Sequence, residues 1–161
     1  MRLTEINLIL ENQLLNINMK KTIILMAVLF ASVSLHAQSA NAIVGKWLNK
    51  DKDAHIQIYK NGNQYFGKLV WLKNPNDENG KPKTDTKNPE ANLKSRPIWG
   101  LEILKNFNYD DGTWEDGTIY DPKSGKTYSC KMTLEGNDNL NVRGYIGFSF
   151  IGRTDIWTRV K

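Results

Sequence analysis

Apolar and polar positions alternate with a period of two along most of the chain beyond residue 43, the pattern of half-buried strands. Residues 55–60 (HIQIYK) and 64–73 (QYFGKLVWLK) flank Asn61, Gly62 and Asn63. Asn-Gly between two such runs predicts a β-hairpin, because both residues tolerate the positive φ of a tight turn. In the second arm Tyr65, Gly67, Leu69 and Trp71 fall on one face, and Phe66, Lys68, Val70 and Leu72 on the other. Further strands are predicted over 98–104, from Gly112 through Trp114 to Tyr120, and over 127–134, 140–146 and 148–160. Residues 121–125 and 136–139, rich in Asp, Asn, Pro and Gly, have the composition of turns. With residues 43–49 (IVGKWLN) the count reaches about eight strands, most at hairpin spacing, and no amphipathic helix longer than two turns is evident. Sequential strands with short turns predict an antiparallel meander. Eight strands with nothing else to cover their edges predict closure into an all-β, up-and-down barrel.

One segment breaks the alternation. Residues 74–97 hold Pro75, Pro82, Pro89 and Pro97 among many Asn, Asp and Lys residues. An irregular connection of this length in a compact domain is usually functional or mobile. A short helical turn is expected near residues 89–93, and the whole segment is expected to gate one end of the barrel.

The N-terminal part reads as an address. Residues 23–35 (IILMAVLFASVSL) carry no charge, follow Lys20 and Lys21, and precede the small residues Ala37, Ser39, Ala40 and Ala42. The run is short for a membrane span and suits a signal-peptide core. The expected organisation is an extension over 1–18, a signal peptide over 19–37 with translation starting at Met19, and one barrel domain over 38–161. Cleavage after Ala42 fits the small-x-small rule, but would start the mature chain against the first strand, so cleavage after Ala37 is preferred. The protein is accordingly expected to be exported, to the periplasm or beyond, with no stable membrane anchor after cleavage.

Composition narrows the chemistry further. Of 161 residues, 40% are hydrophobic and 24% charged, which excludes a disordered chain and a multi-span membrane protein. A single cysteine, Cys130, rules out an internal disulfide framework and a four-cysteine zinc site. Cys130 shares its predicted face with Met132 and Leu134 and reads as a small buried hydrophobe; a Cys130–His55 dyad is the one nucleophilic pairing available. The net charge of +5 is too thin, and its lysines too scattered, for a nucleic-acid stripe. There is no phosphate-binding glycine loop, no dinucleotide fingerprint and no serine elbow. The acids around Asp77 lack the register of a calcium loop. No catalytic set, metal site or cofactor is therefore expected.

Two groups of residues stand out as candidate sites. Gly45 and Trp47 open the first strand, and Arg159 lies near the C-terminus. Trp47 is expected to plug the closed end, with Arg159 stacked over its indole in a cation–π contact. The second group is Arg143, Tyr145 and Arg153 in the glycine-rich string 143–154, joined by Trp71, Arg96 and Trp99. Aromatic surface with a few convergent guanidinium groups suits a small, partly apolar or anionic ligand.

With these residues laid out, the chain resembles a bacterial family known as domain of unknown function 2147. The resemblance runs from residue 43 to about 160. It rests on Ile43-x-Gly-x-Trp47, Tyr65-x-Gly-Lys-Leu-Val-Trp71, Asn74-Pro75 and Asp77-x-x-Gly80-Lys81. It continues through Arg96-Pro97-Ile98-x-Gly100-Leu101, Trp114 to Pro122, Gly125-Lys-x-Tyr128, Leu140 to Gly147, and Gly152-Arg-Thr154 with Trp157 and Arg159. The resemblance implies a small exported protein with a lipocalin-like (calycin) barrel, and carries no activity with it. The expected function is binding of a small ligand inside the barrel. The alternatives are an envelope interaction protein with a packed interior, contacting a protein or polysaccharide through 74–97, and, last, an enzyme on envelope substrates.

Overall fold

Each alternating run becomes a strand, and each strand pairs antiparallel with the next. A computed structural model describes residues 40–161; the expected extension and signal peptide lie outside the described residues. The strands are β1 (Gly45–Leu48), β2 (Ala54–Asn61), β3 (Gln64–Leu72), β4 (Glu102–Asp110), β5 (Thr113–Asp121), β6 (Lys126–Glu135), β7 (Asn139–Tyr145) and β8 (Gly152–Arg159). β1 also pairs with β8, Trp47 opposite Arg159 and Leu48 opposite Thr158, so the sheet closes into a barrel in sequence order. The closing seam is short, two residue pairs long, because β1 has only four residues.

The two ends of the barrel differ. The tight turns β2–β3, β4–β5 and β6–β7 lie at one end, and residues 40–44 cross there before β1 begins. Behind them Ile43, Trp47, Tyr65, Phe107, Trp114, Met132 and Leu140 are almost wholly buried. The polar tip of each large ring finds a partner in the crossing segment. Trp47 Nε1 donates to the Ile43 carbonyl at 2.8 Å, Trp114 Nε1 to the Ala40 carbonyl at 3.1 Å, and the Tyr65 hydroxyl to Asn41 Oδ1 at 3.1 Å. Buried rings of this size dominate core energetics, provided their polar atoms are satisfied. The longer connections, 49–53, 73–101, 122–125 and 146–151, lie at the other end.

Three expectations need correction. Residues 98–101 are not strand: the Ile98 amide donates to the Lys83 carbonyl and Thr84 bridges Pro97, Gly100 and Leu101 bond to Leu69 of β3, and β4 starts at Glu102. Residues 148–151 are not strand either: the Ile151 amide closes a turn on the Phe148 carbonyl, and β8 starts at Gly152. Trp71 does not share the face of Leu69. His55 pairs with Trp71 but Ile56 pairs with Leu69, so Val70 is an extra residue on β3. This β-bulge turns Trp71 to the outer surface, where its ring packs on His55 at 4.4 Å.

Segment 74–97 is held by a buried polar cluster. Asp85 is fully buried and Asn88 nearly so. Asp85 Oδ1 accepts from the Tyr120 hydroxyl at 2.6 Å, and Oδ2 accepts from Asn88 Nδ2 at 2.8 Å and from Arg96 Nη2 at 2.7 Å. The turn after β5 comes close enough that a Cβ on Gly125 would lie 1.9 Å from the Lys87 carbonyl oxygen, at a φ of 73°. Only glycine fits there. The expected helical turn forms as one 3₁₀ turn, Ala91–Leu93.

Candidate functional site: an open cavity at one end of the barrel

Beyond the buried rings of the closed end the interior is hollow. The cavity measures about 990 Å3 and opens between the four longer connections. Ile56 and Leu69 on the first hairpin, Ile119 on β5, and Val142 and Trp157 on the last hairpin form an apolar wall. They point inward because β-strand side chains alternate: Leu140, Val142 and Gly144 oppose Trp157, Asp155 and Arg153 on one face of β7–β8.

The rim is polar and its charges are paired. Lys123 Nζ lies 2.9 Å from Asp53 and 3.1 Å from Asp51. Asp155 Oδ1 accepts from Arg153 Nε at 2.9 Å and from Lys50 Nζ at 3.4 Å. Burial alone would raise the Asp53 pKa, but hydrogen bonds from Asn49 and Lys123 and the Lys123 charge outweigh it and hold the carboxyl below its ordinary value. The Lys123 ammonium is in turn pushed up by hydrogen bonds to Asp53 and Asp51. An anionic ligand arriving at the rim therefore meets cations that already have carboxylate partners.

The six residues singled out for ligand contact do not converge. Arg153 and Tyr145 line the mouth of the cavity. Trp71 stands outside the wall, and Trp99, more than half exposed, sits on the 73–101 connection away from the cavity lining. Arg96 is committed to Asp85, and its guanidinium also lies 5.5 Å from the Tyr120 ring. Arg143 occupies the face of β7 opposite Val142 and donates to the Ser149 carbonyl at 2.7 Å, the Phe150 carbonyl at 3.2 Å and Thr154 Oγ1 at 2.9 Å. Trp157 is the tryptophan that does line the cavity. Its signal was the alternation of Arg153, Asp155 and Trp157 along β8.

At the other end Arg159 covers Trp47, with 4.2 Å from guanidinium carbon to ring centroid. It also donates to the carbonyls of Asn137 and Ala42, each at 2.7 Å. A Cβ on Gly45, whose φ is 142°, would press against Arg159 Nη1 at 3.1 Å. Cys130 points into the barrel and His55 lies on the outer face of β2, so the wall separates them. Burial pushes the Cys130 thiol up to about 12. Among the described residues no group of three or more His, Cys, Asp or Glu side chains is placed to hold a metal ion.

A closed eight-stranded meander, packed at one end and hollow at the other, defines a lipocalin-like barrel. A solved structure of Helicobacter pylori protein HP1028, described as belonging to the lipocalin family, superposes with a TM-score of 0.65. It is 19% identical, and the alignment covers 74% of this chain and 83% of that one. Residues 45–159 match the family described as "uncharacterized protein conserved in bacteria (DUF2147)", and the chain belongs to that family. No curated protein shows significant similarity to it.

Proposed function

We propose that this protein is exported and holds a small, partly apolar molecule in the open half of its barrel. The observation that carries this reading is the cavity: about 990 Å3 of space with an apolar wall and a polar, charge-paired rim. Sites for small molecules have volumes of roughly 300–1,000 Å3, mostly apolar linings and a few polar groups that fix orientation. The apolar part of the ligand lies against Ile56, Leu69, Val142 and Trp157, and its polar end lies among Arg153, Lys50 and Lys123. The lipocalin-like fold agrees with this reading, although fold alone does not assign a ligand.

Native mass spectrometry on protein recovered from its own cell envelope or medium tests it. The expected result is a discrete extra mass that disappears on denaturation. Val142→Trp, which fills the cavity from the wall, is expected to abolish that mass in a chain that remains folded. A clean apo mass across several growth conditions would overturn the reading. It would shift attention to a protein or polysaccharide partner at segment 74–97.

A further inference from the structure

The connection between β7 and β8 is short, apolar and turned to solvent. Ile146, Phe148, Phe150 and Ile151 are 70%, 67%, 75% and 61% exposed. The two phenyl rings stack on each other, with centroids 5.5 Å apart. Scattered apolar side chains on a surface need no explanation, but four in six residues at one tip mark a contact site. The tip is continuous with the cavity, since Ile146 and Ile151 also line its mouth.

Three carbonyls at the tip are satisfied from within. Arg143 takes the carbonyls of Ser149 and Phe150, and the Ile151 amide takes that of Phe148. Irregular backbone enters hydrocarbon only when its polar groups have internal partners. Arg143 supplies part of that requirement, holding two of the carbonyls with a guanidinium at the base of the tip.

Charge is distributed along the barrel axis in the same sense. Residues 49–53, 73–101, 121–126 and 143–155, which surround the mouth, hold twelve basic and eight acidic side chains. The remainder of residues 40–161 holds seven of each. Most of the net positive charge thus sits at the end that carries the apolar tip. Two copies meeting tip to tip would bring like charges together, whereas an anionic surface complements them.

We propose that this tip docks into the headgroup–acyl boundary of an anionic lipid bilayer, with the barrel mouth facing the membrane. Docking does not depend on the cavity being filled, so it stands apart from the ligand reading.

The test places a reporter at the tip. Ser149→Cys, in the exported protein as recovered from cells, is coupled to an environment-sensitive fluorophore; the buried Cys130 leaves position 149 as the reactive thiol. Vesicles containing phosphatidylglycerol are expected to shift its emission to the blue. Binding is expected to weaken at least tenfold on pure phosphatidylcholine or at about 0.5 M salt, where surface charge is screened. The same label at Asn63→Cys, at the opposite end of the barrel, is expected not to respond. F148S/F150S is expected to lose binding at least tenfold. The proposal is overturned by no shift at position 149, or by an equal shift at position 63. It is equally overturned by a shift that follows protein concentration without vesicles, which would make the tip a contact between copies. Should F148S/F150S fail to fold, the label at position 149 still decides.

Discussion

Arg159 closes the barrel over Trp47. One guanidinium group covers the indole at 4.2 Å and takes the carbonyls of Ala42 and Asn137, so three separate stretches of chain meet on a single side chain. A partly desolvated cation–π contact contributes about 1–2 kcal/mol, and hydrogen bonds to a charged donor add about as much. Arg159→Ala is therefore expected to destabilise the fold by about 2–4 kcal/mol. Arg159→Lys is expected to recover less than half, because an ammonium cannot take the two carbonyls as a planar fork does. Urea unfolding midpoints at unchanged slope measure both.

Asp85 is expected to latch segment 74–97. Burial by itself would raise its pKa, but hydrogen bonds from Tyr120, Asn88 and Arg96 and the Arg96 charge outweigh burial and hold the carboxyl below its ordinary value. A folded pKa below the unfolded one contributes stability that is fully present above the unfolded value, about 3.9, and is lost as pH falls through the folded value. The latch is accordingly expected to hold at neutral pH and to open only in acid. Asp85→Asn removes a buried charge partner, with an expected cost of about 3 kcal/mol. Hydrogen exchange at the Asn88, Glu90 and Ile98 amides should accelerate in this variant, while strand amides at the closed end keep their protection. Uniform acceleration through the barrel would show that the cluster supports the whole fold.

The barrel was legible because period-two alternation and turn composition act locally, and each survives in a single stretch of sequence. Tyr128, Cys130 and Met132 face inward as their spacing predicts, and the Asn61-Gly62 hairpin forms. Trp71 was misplaced because one extra residue, Val70, reverses every face beyond it, and a bulge leaves no mark in composition. Asp85 was legible only as one more acid in a polar loop. Its meaning depends on Tyr120, 35 residues away, and on Arg96, and no local rule brings those together. The arginines singled out for a ligand have partners that no local pattern names. Arg96 is held by Asp85, Arg143 by the carbonyls of its own loop and Arg153 by Asp155.

Cys130 is expected to be inert in the folded protein. Burial pushes its thiol up to about 12, so the thiolate that reacts is scarce at ordinary pH. Thiol reagents at pH 8 should leave the native chain unmodified and react stoichiometrically once it is unfolded in denaturant. The modification rate in intermediate denaturant then reports opening of the barrel at β6. Prompt reaction of the native protein would mean that the cavity gives solvent access to the β5–β6 face.

If the protein is exported as proposed, the closed end also bears on where its mature chain begins. Cleavage after Ala42 would remove the Ala40 carbonyl that accepts from Trp114, the Asn41 side chain that accepts from Tyr65, and the Asn41 carbonyl that accepts from the Val44 amide. It would also remove the Ala42 carbonyl that accepts from Arg159. Leaving the buried Trp114 and Tyr65 donors without partners costs about 1–3 kcal/mol each, a large share of the 5–15 kcal/mol that holds a domain together. Cleavage after Ala37 keeps every one of these bonds. Intact mass and N-terminal sequencing of the exported protein are expected to give Gln38 as the first residue. A chain made to begin at Ile43 should unfold at markedly lower urea than one beginning at Gln38. Equal midpoints would show that segment 40–42 is dispensable and that the rings of Trp114 and Tyr65 find other partners.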